Sequence, residues 1–219
     1  MLLCTRLTLV VGFILGAVEI GHAQQTVTQP SAVPAQSTSK QAESWGQWRG
    51  PRRDGTLKNV QLPDSLSEDV LKKSWATKLD ASYSGALIVK DRVFVTESKN
   101  GEEVVTALDR KNGSVVWTHQ WKGSMKVPFF AAANGSWIRS TPSYSDGKLY
   151  VAGMQDVLYC LDATNGQEVW SIDFPKKLGT SKPNFGFVCS PLVDSGFVYV
   201  QAGGGFTKLD KNTGDIVWQ

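Results

Sequence analysis

The chain has 219 residues, and its 23 basic side chains nearly balance 20 acidic ones, which leaves a formal net charge of +3. A balance this weak, without a basic tract, gives no support for nucleic-acid binding. The densest cationic spot, formed by Arg49, Arg52 and Arg53, is typical of a solvated loop. With His119 as the one histidine beyond residue 23, a multi-histidine metal or haem site is excluded.

Residues 1–23 are predicted to form a secretory signal peptide. Arg6 supplies the positive start, residues 7–18 form an uncharged apolar run, and Gly21, His22 and Ala23 form a small-residue cleavage site. The run is too short to span a bilayer, so we expect no stable membrane insertion after cleavage, with an uncleaved anchor as the alternative. Cys4 precedes the run and cannot be the lipidated cysteine of a lipoprotein.

Two segments without repeats follow the signal peptide. Residues 24–43 are rich in Gln, Ser, Thr, Pro and Ala, and this composition predicts a disordered tether because it offers too few apolar side chains to bury. Residues 44–72 are interpreted as an N-terminal loop segment.

A ten-residue pattern, Leu-Asp-x-x-x-Gly-x-x-Val-Trp, then occurs three times. Its copies begin at Leu108, Leu161 and Leu209 and end at Trp117, Trp170 and Trp218, so the tryptophans lie 53 and 48 residues apart. A period near 50 residues indicates a repeat architecture. In each copy the aspartate is expected to begin a hairpin turn and the glycine to supply its positive φ.

Short strand patterns precede each copy and give four strands per period. The turns Lys90-Asp91, Asp146-Gly147 and Asp194-Ser195-Gly196 separate the first two strands of each set. Four antiparallel strands per period are the blade of a β-propeller. The sequence therefore predicts an all-β fold: residues 73–219 form a partial propeller of three four-stranded antiparallel blades ending near residues 117, 170 and 218, with the tryptophans packed between blades.

The ten-residue pattern resembles the pyrroloquinoline-quinone (PQQ) repeat, which occurs in quinoprotein alcohol dehydrogenases, in the outer-membrane assembly factor BamB and in many bacterial PQQ-like proteins. The resemblance covers residues 75–219, and the segment from Trp45 to Gly55 resembles the start of PQQ-like proteins of planctomycete-type bacteria. It implies a bacterial periplasmic or secreted, extracytoplasmic protein.

The same resemblance indicates which residues a quinoprotein dehydrogenase would need to bind its cofactor and metal. Quinoprotein dehydrogenases hold PQQ against a disulfide between adjacent cysteines and bind calcium through carboxylate and amide ligands, whereas Cys160 and Cys189 are far apart in this sequence. We assign no catalytic, cofactor-binding or metal residue and no cofactor. Free thiols are the preferred interpretation of the two cysteines, expected on strands of successive blades, and a disulfide is the alternative.

Two other features are interpreted as structural. His119 alternates with Trp117 and Trp121 along one predicted strand, and Trp170 is expected to share a strand face with Phe174. Gly203, Gly204 and Gly205 lie between two predicted strands, so they predict a hairpin turn instead of a phosphate loop, which needs a following helix.

Ligands of propellers usually bind where the loops between blades gather around the central channel, and two loops on this channel face are predicted at residues 122–139 and 175–188. Their aromatic, amide and basic side chains can contact an extended peptide, a protein or a glycan, or can pack loop against loop. These residues are Lys126, Phe129, Phe130, Asn134, Trp137, Arg139, Lys176, Lys177, Lys182, Asn184 and Phe185.

Three blades are fewer than a closed ring needs. Residues 73–79 resemble a tryptophan-bearing outer strand without a blade of its own, which predicts the N-terminal part of a longer propeller whose open blade edges make the isolated chain self-associate. The function expected is a non-catalytic binding or assembly scaffold. The alternatives are a quinoprotein oxidoreductase whose catalytic residues lie outside this chain, and a truncated product without function of its own.

Overall fold

The computed structural model describes residues 44–219 except 59, 61 and 62. The predicted signal peptide, residues 1–23, and the predicted tether, residues 24–43, lie outside the described residues. From Leu87 onwards the chain alternates short strands and tight turns and forms three separate four-stranded antiparallel sheets. These sheets are blades 1, 2 and 3 in chain order.

Each blade is built by consecutive hairpins, so its strands lie in sequence order across the sheet. Positive φ angles at Lys90, Asp146 and Ser195 close the first turn of each blade. Blade 1 contains β1 (Leu87–Val89), β2 (Arg92–Lys99), β3 (Glu102–Asp109) and β4 (Val115–Lys122). Blade 2 contains β5 (Ser143–Ser145), β6 (Lys148–Gly153), β7 (Val157–Asp162) and β8 (Glu168–Asp173). Blade 3 contains β9 (Leu192–Asp194), β10 (Phe197–Ala202), β11 (Gly205–Asp210) and β12 (Ile216–Trp218).

The first strands of the three blades are neighbours, since β1 contacts β5 and β5 contacts β9. The sheets therefore fan outward from their first strands to β4, β8 and β12, as the blades of a propeller do. The predicted all-β fold of three antiparallel blades in a partial ring is confirmed.

The turn of the ten-residue pattern has the predicted chemistry in all three blades. In blade 1, the Asp109 carboxylate accepts hydrogen bonds from the backbone N–H groups of Lys111 and Asn112 at 2.8 and 3.3 Å. Gly113 closes the turn with a φ of +74° and donates its N–H to the Asp109 carbonyl at 2.8 Å. Gly166 and Gly214 have φ angles of +75° and +77°, so the predicted positive φ is confirmed at each copy.

The tryptophans seal the junctions between blades, as predicted. Trp117 of blade 1 donates its indole N–H to the Ala163 carbonyl of blade 2 at 3.1 Å, and its ring lies where a Cβ of Gly166 would be. Trp170 of blade 2 repeats the contact on blade 3, with a hydrogen bond of 3.1 Å to the Lys211 carbonyl and its ring against Gly214. The indole of each blade therefore covers the turn glycine of the next.

Trp75 makes the same contact on blade 1. Its indole N–H donates to the Arg110 carbonyl at 2.9 Å, and its ring lies against Gly113. Residues 73–79 nevertheless form no strand, unlike the sequence expectation, because no other described strand lies beside them to pair with. The segment thus supplies the tryptophan of a preceding blade without that blade's sheet.

Two smaller expectations were wrong. Phe174 is buried, but it begins a short helix, α1 (Phe174–Leu178), instead of continuing β8, because the Asp173 carboxylate caps that helix by accepting from the Lys176 N–H at 3.0 Å. Cys189 precedes β9 instead of lying on it, because β9 begins only at Leu192, directly after Pro191, which has no N–H for the ladder. Cys160 lies on β7, and both thiols are free.

The N-terminal segment contacts the inner strands of the blades. Trp45 and Ile88 exchange two backbone hydrogen bonds of 2.7 and 2.9 Å, which pairs the segment with β1. The Tyr144 N–H of β5 donates to the Gly46 carbonyl at 2.7 Å, and Arg53 donates to the Pro191 carbonyl beside β9 at 3.4 Å. Residues 45–53 therefore link all three blades on their inner side.

Candidate functional site

The two predicted inter-blade loops meet on one face of the molecule, together with the turn between β6 and β7. The first loop runs from the end of β4 to β5 and the second from the end of β8 to β9. Gln155, in that turn, joins them: its amide donates to the Ser124 carbonyl at 2.8 Å and its oxygen accepts from Lys182 at 2.5 Å. We call residues 123–142 and 174–191 the loop face.

Three phenylalanines project from the loop face. Phe129 and Phe130 open a 3₁₀ helix (Phe129–Asn134) and are 91% and 70% exposed, and Phe185 of the second loop is also exposed. The ring centroids of Phe129 and Phe130 lie 5.6 Å apart, and those of Phe130 and Phe185 lie 6.2 Å apart. We call these three residues the aromatic patch, since their rings form one continuous surface across two loops.

Other predicted side chains of the first loop pack within the structure. The Trp137 ring lies 5.4 Å from Tyr83 and against Gly135. Arg139 donates to the Gly135 carbonyl at 2.9 Å, and its guanidinium lies 5.1 Å from the Tyr83 ring. These residues therefore hold the first loop in place through contacts within the loop and with Tyr83.

Five more of the predicted side chains face solvent. Lys126, Lys176, Lys177, Lys182 and Asn184 are exposed, and Asn134 ends the 3₁₀ helix. The loop face contains five basic residues and no acidic one. It therefore combines exposed aromatic rings with a single sign of charge.

A buried acid that no sequence pattern indicates lies below this face. Glu103 is 1% exposed on β3 and is wedged between Gly123 and Gly153 at the junction of blades 1 and 2. Its carboxylate accepts from the Trp121 indole at 2.7 Å and from the Met154 N–H at 2.9 Å. Burial raises the pKa of Glu103 to about 7, and the two hydrogen bonds oppose that rise. Glu103 does not stand out from an alternation of apolar and polar residues, because the middle of β3 is buried on both faces.

The arginine cluster is only partly a solvated loop. Arg49 is exposed, but Arg53 is half-buried, and burial lowers the pKa of its guanidinium. The guanidinium groups of Arg49 and Arg53 lie 5.6 and 5.8 Å from the ring centroid of Trp48. Arg52 contacts the Asp54 carboxylate at 3.3 Å. The cluster therefore stabilises the N-terminal segment by local contacts.

The other singled-out residues are structural where the structure describes them. His119 lies on β4, with its ring 5.6 Å from Tyr159 and 6.0 Å from Trp121. Gly203 and Gly204 have positive φ angles and connect β10 to β11, so the predicted hairpin turn is present. Burial raises the pKa of the Cys160 thiol to about 11, which disfavours a reactive thiolate.

Within residues 44–219, apart from the three undescribed positions, no group of three or more His, Cys, Asp or Glu side chains has the arrangement of a metal site. No helix among the described residues is long and apolar enough to cross a bilayer.

Comparison with known proteins decides the family. The family model described as outer membrane protein assembly factor BamB matches residues 72–136 and 101–219, which together span most of the chain. The chain belongs to this BamB-like, PQQ-repeat propeller family. The resemblance suggested by the ten-residue pattern is therefore confirmed.

Individual relatives include dehydrogenases. The chain is 24% identical over 193 residues to quinohemoprotein alcohol dehydrogenase ADH-IIG of Pseudomonas putida, covering 84% of this chain and 26% of that protein. It is 25% identical over 233 residues to the dehydrogenase subunit of the alcohol dehydrogenase (quinone) of Komagataeibacter europaeus, covering 97% of this chain and 30% of that subunit. The chain thus spans less than a third of the length of these two relatives.

The solved structure of ADHIIG from Pseudomonas putida HK5 superposes with a TM-score of 0.51 at 24% identity, over 66% of this chain and 22% of that one. This likeness supports the propeller fold of the BamB-like chain and carries no statement about its activity.

Proposed function

We propose that this BamB-like chain is an extracytoplasmic binding or assembly scaffold that contacts a partner through its loop face. The observation that carries the proposal is the aromatic patch: Phe129 and Phe130 project into solvent from a loop whose third aromatic side chain, Trp137, is packed against Tyr83. Large apolar side chains exposed together on a rigid support are typical of an interaction surface.

In-cell photo-crosslinking tests the scaffold. A photoreactive residue at Phe129 is expected to yield one discrete crosslinked species in the native host, which reciprocal purification through the partner then reproduces. The same probe at Lys111, in the exposed turn between β3 and β4, is the matched control. Equal labelling at both positions, or none at Phe129, would contradict a scaffold that works through this face.

The extracytoplasmic location is part of the proposal and rests on the sequence of residues 1–23. Export to the bacterial periplasm or the medium requires cleavage after Ala23, which leaves Gln24 as the first residue. Mass spectrometry of the exported protein measures this directly. A mature chain that retains Met1 would place the protein on an uncleaved anchor instead.

We also propose that further blades complete the ring. Trp218 occupies the position of Trp117 and Trp170, but its ring is exposed because no described blade faces it. A sheet carrying the same Asp-x-x-x-Gly turn would cover it in the way that blades 2 and 3 cover the other two. The proposed function refers to this longer propeller.

A quinoprotein oxidoreductase is the second candidate, favoured by the dehydrogenases that match 84% and 97% of this chain. The residues of this chain do not fit the cofactor, because it has no adjacent cysteines and the described residues include no metal-binding cluster. The catalytic residues would have to lie outside this chain. Dye reduction by the full-length gene product with PQQ, calcium and an alcohol would establish this activity, and its absence in a folded, PQQ-loaded preparation would exclude it.

A further inference from the structure

The aromatic patch is held in one arrangement by the loops that carry it. The 3₁₀ helix is closed at both ends, with the Ala131 N–H donating to Pro128 at 2.8 Å and the Gly135 N–H to Ala132 at 3.0 Å. In the second loop the Gly186 N–H donates to the Pro183 carbonyl at 3.1 Å, which fixes the turn next to Phe185. A surface that is already ordered loses little conformational entropy on binding.

The charged residues of the loop face are all basic, although basic and acidic residues are nearly equal in number over the whole chain. Lys126, Lys176, Lys177 and Lys182 are exposed on the loop face. Of the acids next to this face, Glu103 and Asp156 are buried and accept backbone hydrogen bonds, while Glu102 and Asp173 are partly or fully exposed and are outnumbered by the lysines. Asp173 caps α1. The charge presented to a partner is therefore positive.

We propose that the loop face docks an extended acidic segment of a partner protein, with apolar side chains of that segment seated on the aromatic patch. The proposal rests on the scaffold function above and specifies its partner. Apolar side chains cover Phe129, Phe130 and Phe185, and carboxylates between them pair with the surrounding lysines, so that affinity comes from the rings and orientation from the charges.

Other occupants fit the loop face less well. Residues 24–43 of this chain carry one lysine and one glutamate, so they lack the complementary charge. The rings of the patch meet edge to face, at interplanar angles of 82° and 62°, and do not form the parallel platforms on which successive bases stack. An acidic segment with spaced apolar residues satisfies both the charge and the ring arrangement.

Fluorescence anisotropy with the full-length protein tests this docking. The probe is a labelled peptide, Asp-Phe-Asp-Leu-Asp-Phe-Asp, compared with the same peptide carrying Lys or Ser in place of Asp. We expect binding of the acidic peptide, weaker binding of the Ser peptide and none of the Lys peptide. Binding should weaken as salt rises, because the lysines are exposed.

Two pairs of variants separate the contributions of rings and charge. The double variant Phe129→Ser/Phe130→Ser should weaken peptide binding about tenfold or more, as loss of a central aromatic anchor does, whereas Val169→Ser, which removes an exposed apolar side chain of β8, should not. Lys126→Glu should weaken binding several-fold, and Lys111→Glu, with the same change in net charge on an exposed turn, should leave it unchanged. Thermal melting of each variant confirms that it is folded.

Several results would overturn the proposal. Peptide binding that is unaffected by the phenylalanine variant would show that the patch is not the site. Tighter binding of single-stranded oligonucleotides or of phosphatidylglycerol vesicles than of the acidic peptide would assign the face to another class of ligand. Concentration-dependent dimerisation abolished by Phe129→Ser/Phe130→Ser would assign it to a second copy. If crosslinking at Phe129 still captures one partner, such results remove the acidic segment and leave the scaffold function standing.

Discussion

The junction between blades 1 and 2 and the outer face of blade 3 carry the same ten-residue pattern in different surroundings. Trp117 is 8% exposed because blade 2 presents Ala163 and Gly166 to its ring, whereas Trp218 is 44% exposed. The ten-residue pattern therefore supplies only one side of the contact between two blades. Its tryptophan stabilises the fold only when the turn of a following blade completes the other half.

The two ends of the arc differ in the same way. At the first end, Trp75 and Leu79 pack on Val93, Val95 and Leu108 of blade 1. At the other end, the rings of Tyr199, Phe206 and Trp218 lie within 6.4 Å of one another on blade 3 and remain partly exposed. Apolar surface of this kind is a site of association when nothing covers it.

The largest expected effect is on the assembly state. Purified residues 24–219 should sediment with a mass that rises with protein concentration, because the open face of blade 3 is apolar. The double variant Phe206→Ser/Trp218→Ser should move the distribution towards monomer, whereas Val115→Ser, on an exposed position of β4, should not. A monomer at every concentration would show that the face of blade 3 does not behave as an open junction.

Truncating the two tryptophans should separate a sealed junction from an open one. Trp117→Ala should cost about 3–5 kcal/mol of unfolding free energy, since it leaves a cavity between two sheets. Trp218→Ala should cost less than about 1 kcal/mol, because the ring already contacts water. Urea unfolding of both variants under conditions where the chain is monomeric gives the comparison. Equal losses would mean that Trp218 is as well packed as Trp117.

Most of the fold could be predicted because each repeat contains the residues that determine its own turns. Asp109 and Gly113 determine a hairpin from local backbone chemistry alone, and three copies with the same spacing leave little choice of architecture. Residues 73–79 show the limit of that reasoning. They were expected to be a strand from their composition, but a strand needs a partner, and the local sequence does not say whether one is present.

The candidate site was harder to predict because it depends on contacts between loops. The sequence identified Phe129, Trp137 and Phe185 as one mixed set, without indicating that Trp137 packs inward while the phenylalanines project. Glu103 gave no signal, since a glutamate at the start of a strand is ordinarily exposed. Glu103 is buried because its side chain packs against Gly123 and Gly153, which lie on other segments of the chain. Neither glycine is near Glu103 in the sequence and neither has a side chain, so no sequence pattern indicates the contact.

A valine at the turn glycine should disturb the junction as well as the turn. Gly166→Val combines a strained positive φ with displacement of the Trp117 ring, and we expect a loss on the order of 2–4 kcal/mol. Gly147→Val is the matched control, because Gly147 has a φ of +79° and no other atoms near its Cβ position. The Gly147→Val variant should lose only the unfolding free energy that corresponds to backbone strain at a positive φ, on the order of 1–3 kcal/mol.

Thermal melting of the two glycine variants measures the difference. A clearly lower melting temperature for Gly166→Val than for Gly147→Val would assign the excess to the junction. The same melting temperature for both would mean that the Trp117 ring moves aside without cost. An unchanged melting temperature for Gly166→Val would contradict the turn itself.

The smallest expected effect concerns Glu103, a buried acid inside the sealed junction between blades 1 and 2. The contacts described on the open face of blade 3 are between aromatic rings and involve no such acid. Its pKa is raised to about 7 in the folded chain, so the folded state holds this proton more tightly than the unfolded state, in which the carboxyl is an ordinary glutamate. Between about pH 4.5 and 7 the folded state binds more protons than the unfolded one. The contribution of Glu103 to stability therefore falls as the pH rises through this window.

Glu103→Gln should remove that dependence, on the order of 1–3 kcal/mol between pH 5 and 8. One oxygen of the carboxylate accepts from both the Trp121 indole and the Met154 N–H, at 2.7 and 3.1 Å, so a glutamine oxygen in that position can keep both bonds without charge. The glutamine NH₂ group then replaces the oxygen that lies 2.9 Å from the same Met154 N–H, and this contact between two donors lowers the stability of the variant at every pH without adding a pH dependence. Urea unfolding at several pH values, taken as the difference between wild type and variant, cancels the titration of every other group. A wild type that gains stability relative to Glu103→Gln as the pH rises would show that the ionised carboxylate is favoured inside the junction, and that the two hydrogen bonds outweigh its burial.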